Sequence, residues 1–183
     1  SAAPGAGRPP MARIVLTCWG SYGDLFPYLA IAIRLKATGH DPVLAAPAYY
    51  RTKVEQEGVA FAPLQPAVDP ADAETIRRIM DPARGTEVII RELIVPVVRE
   101  AFEGLRPLMA CADLVVTHPV TFAAPLAAEA AGVRWISSVL APTSMFSHHD
   151  FPLLPPYPGG LRLVRRRAWL AAGFVRLAKR VTG

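Results

Sequence analysis

A glycine-rich turn near the amino terminus carries the first candidate site. The turn at residues 20–24, Gly-Ser-Tyr-Gly-Asp, follows an apolar, β-branched run at residues 13–16 and precedes a helical pattern at residues 25–38. Glycine can adopt backbone angles that are closed to other residues, and it lets a ligand approach the main chain. Ligands of open α/β sheets bind at such turns, beyond the carboxyl ends of the strands. We therefore expect a ligand site here.

The glycine pattern argues against two common nucleotide-binding loops. No Lys-Ser or Lys-Thr follows the turn, so it is not a Walker A loop, and it lacks the full Gly-x-Gly-x-x-Gly of the dinucleotide fingerprint. A nicotinamide enzyme would also need an acid at the end of its second strand to hold the ribose. The predicted second strand, residues 41–46, has its only acid at its start. NAD binding is therefore disfavoured.

Asp24 and His118 are titratable residues at the ends of predicted strands. Asp24 stands three residues before Pro27 at the entrance to a helix, where its carboxylate would be a natural N-cap. His118 ends the predicted fourth strand, where local hydrogen bonds commonly satisfy a histidine. Either side chain can also accept a proton as a general base. The residue types alone leave the structural and the catalytic roles open.

The elements that would position these residues alternate between strand and helix. Predicted strands cover residues 13–16, 41–46, 59–64, 113–118 and 134–140. Predicted helices cover residues 25–38, 49–57, 72–80, 86–110 and 121–131, with Pro96 and Pro107 expected to kink or divide the fourth. This alternation predicts an α/β fold, a Rossmann-like parallel sheet flanked by helices.

The run from residue 14 to residue 46 resembles the N-terminal, acceptor-binding domain of the GT-B fold glycosyltransferases. Its order is a strand, Gly-Ser-x-Gly-Asp-x-x-Pro, an amphipathic helix, Gly-His and a second strand. This order is similar to the branch that holds the glycopeptide-antibiotic, macrolide and sterol glycosyltransferases, families 1 and 28. The resemblance extends from about residue 13 to residue 142, and it implies one half of a GT-B fold.

The resemblance implies an inverting transfer of a hexose from a nucleotide-diphosphate sugar to a hydroxyl of a lipophilic small-molecule acceptor. In many relatives a histidine stands where Asp24 stands and acts as general base, and an aspartate near the position of His118 orients it. Here the two residue types are exchanged. In the antibiotic branch the aspartate of the motif is the proposed base, so the resemblance favours Asp24 as base and His118 as its partner. It places Gly20 and Ser21 on the donor-phosphate side and implies no cofactor.

Residues 142–158 are rich in apolar, aromatic and imidazole groups. The resemblance favours an acceptor pocket or lid here, formed by Met145, Phe146, His148, His149 and Phe151. A proline-rich surface loop that covers the core is the alternative. The adjacent imidazoles diverge in most backbone conformations and no third ligand is spaced to join them, so we expect no metal site.

The net charge of +5 is concentrated near the carboxyl terminus. Seven of the 20 basic residues follow Leu161, where there is no acid, and the rest of the chain holds 13 basic and 15 acidic residues. This distribution argues against a nucleic-acid groove. The basic helix predicted over residues 161–183 either covers the fold or faces a second domain, or it lies on a membrane surface.

Three segments are expected along the chain. Residues 1–10 read as a flexible leader, residues 11–160 as the acceptor-binding domain, and residues 161–183 as a basic helix leading toward an absent C-terminal donor-binding domain. No apolar run approaches the ~20 residues that span a bilayer, and the two cysteines form no disulfide framework, so the cytoplasm is the expected compartment. Without its donor half the chain is expected to be inactive. The alternative is a non-catalytic Rossmann-like binding or partner domain of a split transferase.

Overall fold

A computed structural model describes residues 11–69 and 71–140 of the chain. Its five strands form one sheet in the order β3-β2-β1-β4-β5, and every neighbouring pair is parallel. The strands are β1 (Arg13–Thr17), β2 (Asp41–Ala46), β3 (Ala60–Pro63), β4 (Leu114–Thr117) and β5 (Trp135–Ser137). The predicted α/β fold with a Rossmann-like parallel sheet is therefore confirmed.

Helices join the strands. They are α1 (Tyr22–Ala37), a 3₁₀ turn (Ala48–Tyr50), α2 (Arg51–Gln56), α3 (Ala73–Ile79), α4 (Gly85–Glu87), a π-helix (Val88–Ile94), α5 (Val95–Met109) and α6 (Ala123–Ala130). The crossovers bring the carboxyl ends of β1 and β4 side by side in the middle of the sheet, with Leu16 paired to Val116.

The sheet is buried on both faces because the interiors of its central strands are apolar. Successive side chains of β1 point to opposite faces, so Val15 and Leu16 belong to different cores. The core around Leu16 includes residues of α1 and α2, and the core around Val15 includes residues of α5 and α6. Helices thus cover both faces, as a parallel sheet requires.

Two helix predictions need correction, whereas the expected division of the helix over residues 86–110 is observed. The first helix begins at Tyr22, three residues earlier than expected, because the turn before it supplies a cap. The predicted helix over residues 86–110 is divided into α4, the π-helix and α5. Pro96 lies at the start of α5, where its missing N–H costs nothing, whereas Pro107 lies inside α5 without dividing it.

β5 is shorter than predicted and lies at the edge of the sheet. Only Trp135–Ser137 is strand within the predicted residues 134–140, and all three residues are exposed. Among the described residues β5 pairs with β4 alone, so one side of its backbone makes no ladder hydrogen bonds. Fewer backbone bonds and little burial explain the short strand.

Contacts divide the chain into two units. One comprises residues 1–73 and 89–138 and contains the whole described sheet. The other comprises residues 74–88 and 139–183; within it, Gly85 packs against the carbonyl of Ile79, where a side chain would not fit. The leader expected over residues 1–10 and the basic helix expected over residues 161–183 lie outside the described residues.

Candidate functional site

Asp24 closes a capping box at the start of α1. Ser21 is the N-cap, and its Oγ accepts a hydrogen bond from the backbone N–H of Gly23 at 3.1 Å. The Oδ2 atom of Asp24 accepts from the backbone N–H of Ser21 at 2.7 Å and from its hydroxyl at 3.0 Å. The expectation that Asp24 itself is the N-cap is therefore wrong. A Ser/Asp pair satisfies helix donors reciprocally, which a single cap does not.

Gly20 shapes the turn before that cap. Its φ of +139° is a conformation that other residues rarely adopt. Its carbonyl oxygen accepts hydrogen bonds from the hydroxyls of Tyr49 at 3.2 Å and Tyr50 at 2.9 Å. The turn is therefore held from the β2 side by two phenols, while its other end is held by Asp24.

His118 lies immediately after β4 and faces Asp24. Its Nε2 atom is 3.4 Å from Oδ1 of Asp24, and its Nδ1 atom accepts a hydrogen bond from the backbone N–H of Val120 at 3.4 Å. The ring of Tyr28 packs beside the imidazole with the centroids 5.8 Å apart. The Tyr28 hydroxyl pairs with Ser138, whose own hydroxyl donates to the carbonyl of Thr117 at 2.9 Å. Asp24 and His118, which are distant in sequence, thus meet at the carboxyl edge of the sheet.

Asp24 is ionised at this edge of the sheet. The hydrogen bond from His118 holds the pKa of the Asp24 carboxyl below its usual value, with further help from Ser21, while partial burial opposes the shift. Asp24 is therefore a carboxylate at neutral pH. Nearby, burial and the charge of Asp24 raise the pKa of the Cys18 thiol to about 12. Cys18 is thus protonated and is no nucleophile at neutral pH.

A small apolar pocket is lined in part by the loop that follows His118. Its lining includes Trp19 after β1, Pro66 after β3, Ile94 and Val98 before and within α5, and Thr121 and Phe122 after β4. The indole N–H of Trp19 donates to the carbonyl of Pro66 at 2.8 Å and ties two of these loops together. The lining is mostly apolar, and the enclosed space of about 10 Å³ has room for about one water molecule.

The structure brings four of the predicted site residues together. Gly20, Ser21 and Asp24 form the turn, and His118 approaches it from β4. The other predicted site residues lie outside the described part of the chain; they are Met145, Phe146, His148, His149 and Phe151.

Sequence reasoning missed the pocket because its lining comes from four separate segments. The available signal was Trp19, a large aromatic residue directly before the glycine turn. Within residues 11–69 and 71–140, no group of three or more acidic, histidine or cysteine side chains could hold a metal ion. Over the same residues, no helix combines the length and the apolar character needed to cross a membrane.

Comparison with protein families shows which family this chain belongs to. The profile of the glycosyltransferase family 28 N-terminal domain matches residues 14–137, a range that includes Asp24, His118 and the pocket lining. The chain belongs to this family. The resemblance noted on residues 14–46 is therefore confirmed.

Curated relatives of this family 28 domain glycosylate antibiotics and sterols, as their names state. The L-demethylnoviosyl transferase of Streptomyces niveus is 28% identical over 155 residues, which are 80% of this chain and 36% of that protein. The vancomycin aglycone glucosyltransferase of Amycolatopsis orientalis is 28% identical over 160 residues, 81% of this chain and 34% of that protein. The sterol 3-beta-glucosyltransferase of Penicillium rubens is 34% identical over 84 residues, 46% of this chain and 6% of that protein. The chain thus spans about a third, or less, of these relatives.

Solved structures agree on the fold of the family 28 domain. Glycosyltransferase SsfS6 of Streptomyces sp. SF2575, complexed with thymidine diphosphate, superimposes with a TM-score of 0.55 at 22% identity over 83% of this chain and 43% of that one. Glycosyltransferase SnogD of Streptomyces nogalater gives a TM-score of 0.55 at 22% identity over 91% of this chain and 41% of that one. The expected architecture, one half of a GT-B fold, is confirmed.

Proposed function

We propose that this chain supplies the acceptor-side half of an inverting glycosyltransferase that moves a hexose from a nucleotide-diphosphate sugar to a hydroxyl of a lipophilic acceptor. Family membership supports the transferase class. The names of relatives, such as vancomycin aglycone glucosyltransferase, and the thymidine diphosphate in SsfS6 support the acceptor and donor classes. The observation that carries the proposal is the pairing of Asp24 with His118 beside an apolar pocket.

Asp24 is the member of the pair that can act as general base. Its side chain is 32% exposed, whereas that of His118 is 8% exposed, so an acceptor hydroxyl reaches the carboxylate first. A carboxylate offers about four lone-pair positions. Ser21 occupies two of them and His118 one, which leaves one for the acceptor.

His118 positions that carboxylate. Because Nδ1 accepts the N–H of Val120, the neutral ring carries its proton on Nε2 and donates it to Oδ1 of Asp24. The imidazole therefore keeps Asp24 ionised and holds its carboxylate in one orientation. The acceptor oxygen bonds to the anomeric carbon while the bond from that carbon to the diphosphate breaks, and the hydroxyl proton passes to Asp24. A weak base is sufficient for this transfer, because the hydroxyl becomes acidic only as its oxygen forms the new bond.

In this proposal the small apolar pocket next to the loop after His118 contributes one apolar wall of the acceptor site, since its own volume of about 10 Å³ holds about one water molecule. Trp19 and Phe122 offer ring surface for a hydrophobic scaffold, and Thr121 places the pocket next to His118. We keep Met145, Phe146, His148, His149 and Phe151 as further acceptor contacts suggested by the family resemblance.

Gly20 and Ser21 lie beside the donor diphosphate in this proposal. The N–H and hydroxyl of Ser21 already donate to Asp24, so most of the positive charge for the leaving group must come from a donor-side half. Because the matched residues are only about a third of these relatives, we expect residues 1–183 alone not to transfer a sugar. We place the enzyme in the cytoplasm and propose that residues 161–183 face the second half or a membrane surface.

A chimera tests the proposal. This chain, joined to the remaining part of the vancomycin aglycone glucosyltransferase, is offered UDP-glucose and TDP-glucose together with hydroxylated polycyclic aglycones. We expect product with inverted anomeric configuration, and a fall in turnover of about 10²- to 10⁴-fold in Asp24→Asn. Near-normal turnover of Asp24→Asn would refute Asp24 as base. Activity in no chimera, with aglycone binding retained by the chain, would favour a non-catalytic binding domain.

Acceptor binding can be measured on this chain directly. A bound aglycone ring beside Trp19 should quench its fluorescence, and Trp19→Phe should abolish that quenching while Trp135→Phe should not. Trp135 lies in β5 and does not line the pocket, so it is the matched control. Quenching that survives Trp19→Phe would place the ligand elsewhere.

A further inference from the structure

The buried polar side chains gather at one place in the sheet. Among the described residues, four polar side chains are buried, with exposed fractions of 8% or less: Thr17, Thr117, His118 and Thr121. All four lie at the carboxyl ends of β1 and β4 or in the loop after β4. A buried hydroxyl is costly unless it is hydrogen-bonded, so their bonds need explanation.

The hydroxyls of Thr17 and Thr121 form a chain of hydrogen bonds in which each donates to the next group. The hydroxyl of Thr121 donates to the carbonyl of His118 at 2.8 Å, and its backbone N–H donates to the same carbonyl at 3.0 Å. The proton of that hydroxyl is therefore in use. We assign Thr17 as the donor in the 2.9 Å contact between the hydroxyls of Thr17 and Thr121, because the other acceptor of Thr17, the carbonyl of Val116, is farther away at 3.4 Å. The order is Thr17 to Thr121 to the carbonyl of His118.

This chain of hydrogen bonds restrains His118, the residue that faces Asp24. Thr121 holds the His118 backbone with two hydrogen bonds, and the N–H of Val120 holds Nδ1 of the ring. The backbone and the ring of His118 are therefore both restrained within one turn. Without these bonds, the side chain of a histidine just past the end of a strand could adopt several staggered rotamers.

We propose that Thr121 is a positioning residue, supported by Thr17, which holds His118 in the orientation and the Nε2–H tautomer that donate to Asp24. The effect of Thr121 on catalysis rests on the proposed function, whereas its effect on the tautomer of His118 does not. Thr121 also lines the apolar pocket, so the residue that restrains His118 touches the space proposed for the acceptor.

The test is ¹⁵N NMR of the imidazole in the 183-residue chain. We expect the His118 spectrum to show the Nε2–H tautomer, Thr121→Val and Thr121→Ala to give a mixture of tautomers, and Thr121→Ser to restore the original pattern. Thr17→Val should give a smaller change, because it leaves Thr121 in place. Thr38→Val is the matched control, since the Thr38 hydroxyl also donates to backbone carbonyls, at Arg34 and Leu35, but lies at the end of α1.

The outcomes separate positioning from stability alone. An unchanged tautomer in a folded Thr121→Val or Thr121→Ala chain overturns the proposal. If neither variant folds, Thr17→Val decides: a folded chain with an unaltered His118 spectrum also overturns it. Circular dichroism and melting temperature establish folding for each variant.

A kinetic readout applies in the active chimera. Thr121→Val should lower kcat about 10- to 100-fold with little change in KM, because misplacement of a catalytic group costs rate more than binding, and Thr121→Ser should recover it. Loss of rate without rescue by serine would contradict positioning. If the unaltered chimera is inactive, the proposed function fails, while the NMR result still decides the role of Thr121.

Discussion

A Cβ on Gly20 would lie 2.2 Å from Oδ2 of Asp24, so the carboxylate occupies the space that any side chain at position 20 would need. The same oxygen accepts both hydrogen bonds from Ser21. The capping box can therefore close over residue 20 only because that residue is glycine. The glycine serves the placement of Asp24 as well as the bend of the chain.

Gly20→Ala should destabilise the fold more than Gly132→Ala. Both glycines have positive φ, +139° for Gly20 and +69° for Gly132, so each substitution strains the backbone, by about 1–2 kcal/mol in the left-handed region of Gly132. A Cβ on Gly132 meets nothing within 4 Å, whereas one on Gly20 must displace Asp24. Urea unfolding of the two variants checks this, and equal losses would mean that the carboxylate moves away at no cost.

His118→Phe should raise the pKa of the Asp24 carboxyl. The hydrogen bond from His118 is the foremost cause of its lowered pKa, and phenylalanine keeps the ring but donates nothing. Ser21→Ala removes one weaker donor and should produce a smaller rise. The ¹³C chemical shift of the Asp24 carboxyl, followed as a function of pH, gives the three values. A larger rise in Ser21→Ala would show that the cap controls the charge.

The stability difference between the wild-type chain and Asp24→Asn should depend on pH. Because the folded-state pKa of Asp24 is depressed, the ionised carboxylate stabilises the fold above its unfolded-state pKa of about 3.9. That contribution is lost as the pH falls through the lower folded-state value. The difference in Tm should shrink as the pH falls below about 4. A difference that does not vary with pH would contradict the pKa shift.

Much of the fold could be predicted because its signals are local. β2 was predicted to the residue, since Gly39-His40 before it and Pro47 after it mark both ends of an apolar run. The start of α1 was misplaced because it depends on the backbone angles of Gly20, which the sequence does not specify. The edge position of β5 depends on what pairs with it, and that is a tertiary property.

The candidate site was only partly predictable for the same reason. The family resemblance singled out Asp24 and His118, and their roles stay predictions. Their 3.4 Å separation and the direction of the bonds around His118 arise from β1 pairing with β4, which no local pattern describes. Thr17 and Thr121 were missed because single threonines at strand ends carry no distinct sequence pattern.

Gly104→Ala should stabilise the chain. Gly104 lies inside α5 on its exposed side, and a Cβ there meets nothing within 4 Å. Alanine in place of glycine in a helix interior should add about 0.5–1 kcal/mol. Thermal unfolding checks the gain. A loss of stability would indicate that the surface of α5 at this position is covered by another part of the molecule.

The central place of β1 between β2 and β4 has a consequence for how the protein is made. β1 and α1 leave the ribosome before β4, and the capping box uses only residues that lie within a few positions of one another. His118 meets Asp24 only after β4 has been synthesised and has paired with β1, closing a loop that contains β2, β3 and most of the helices. Such distant pairings form late because closing the loop costs chain entropy. A nascent or truncated chain that ends before β4 contains every residue of the capping box, but its Asp24 carboxylate lacks the imidazole partner.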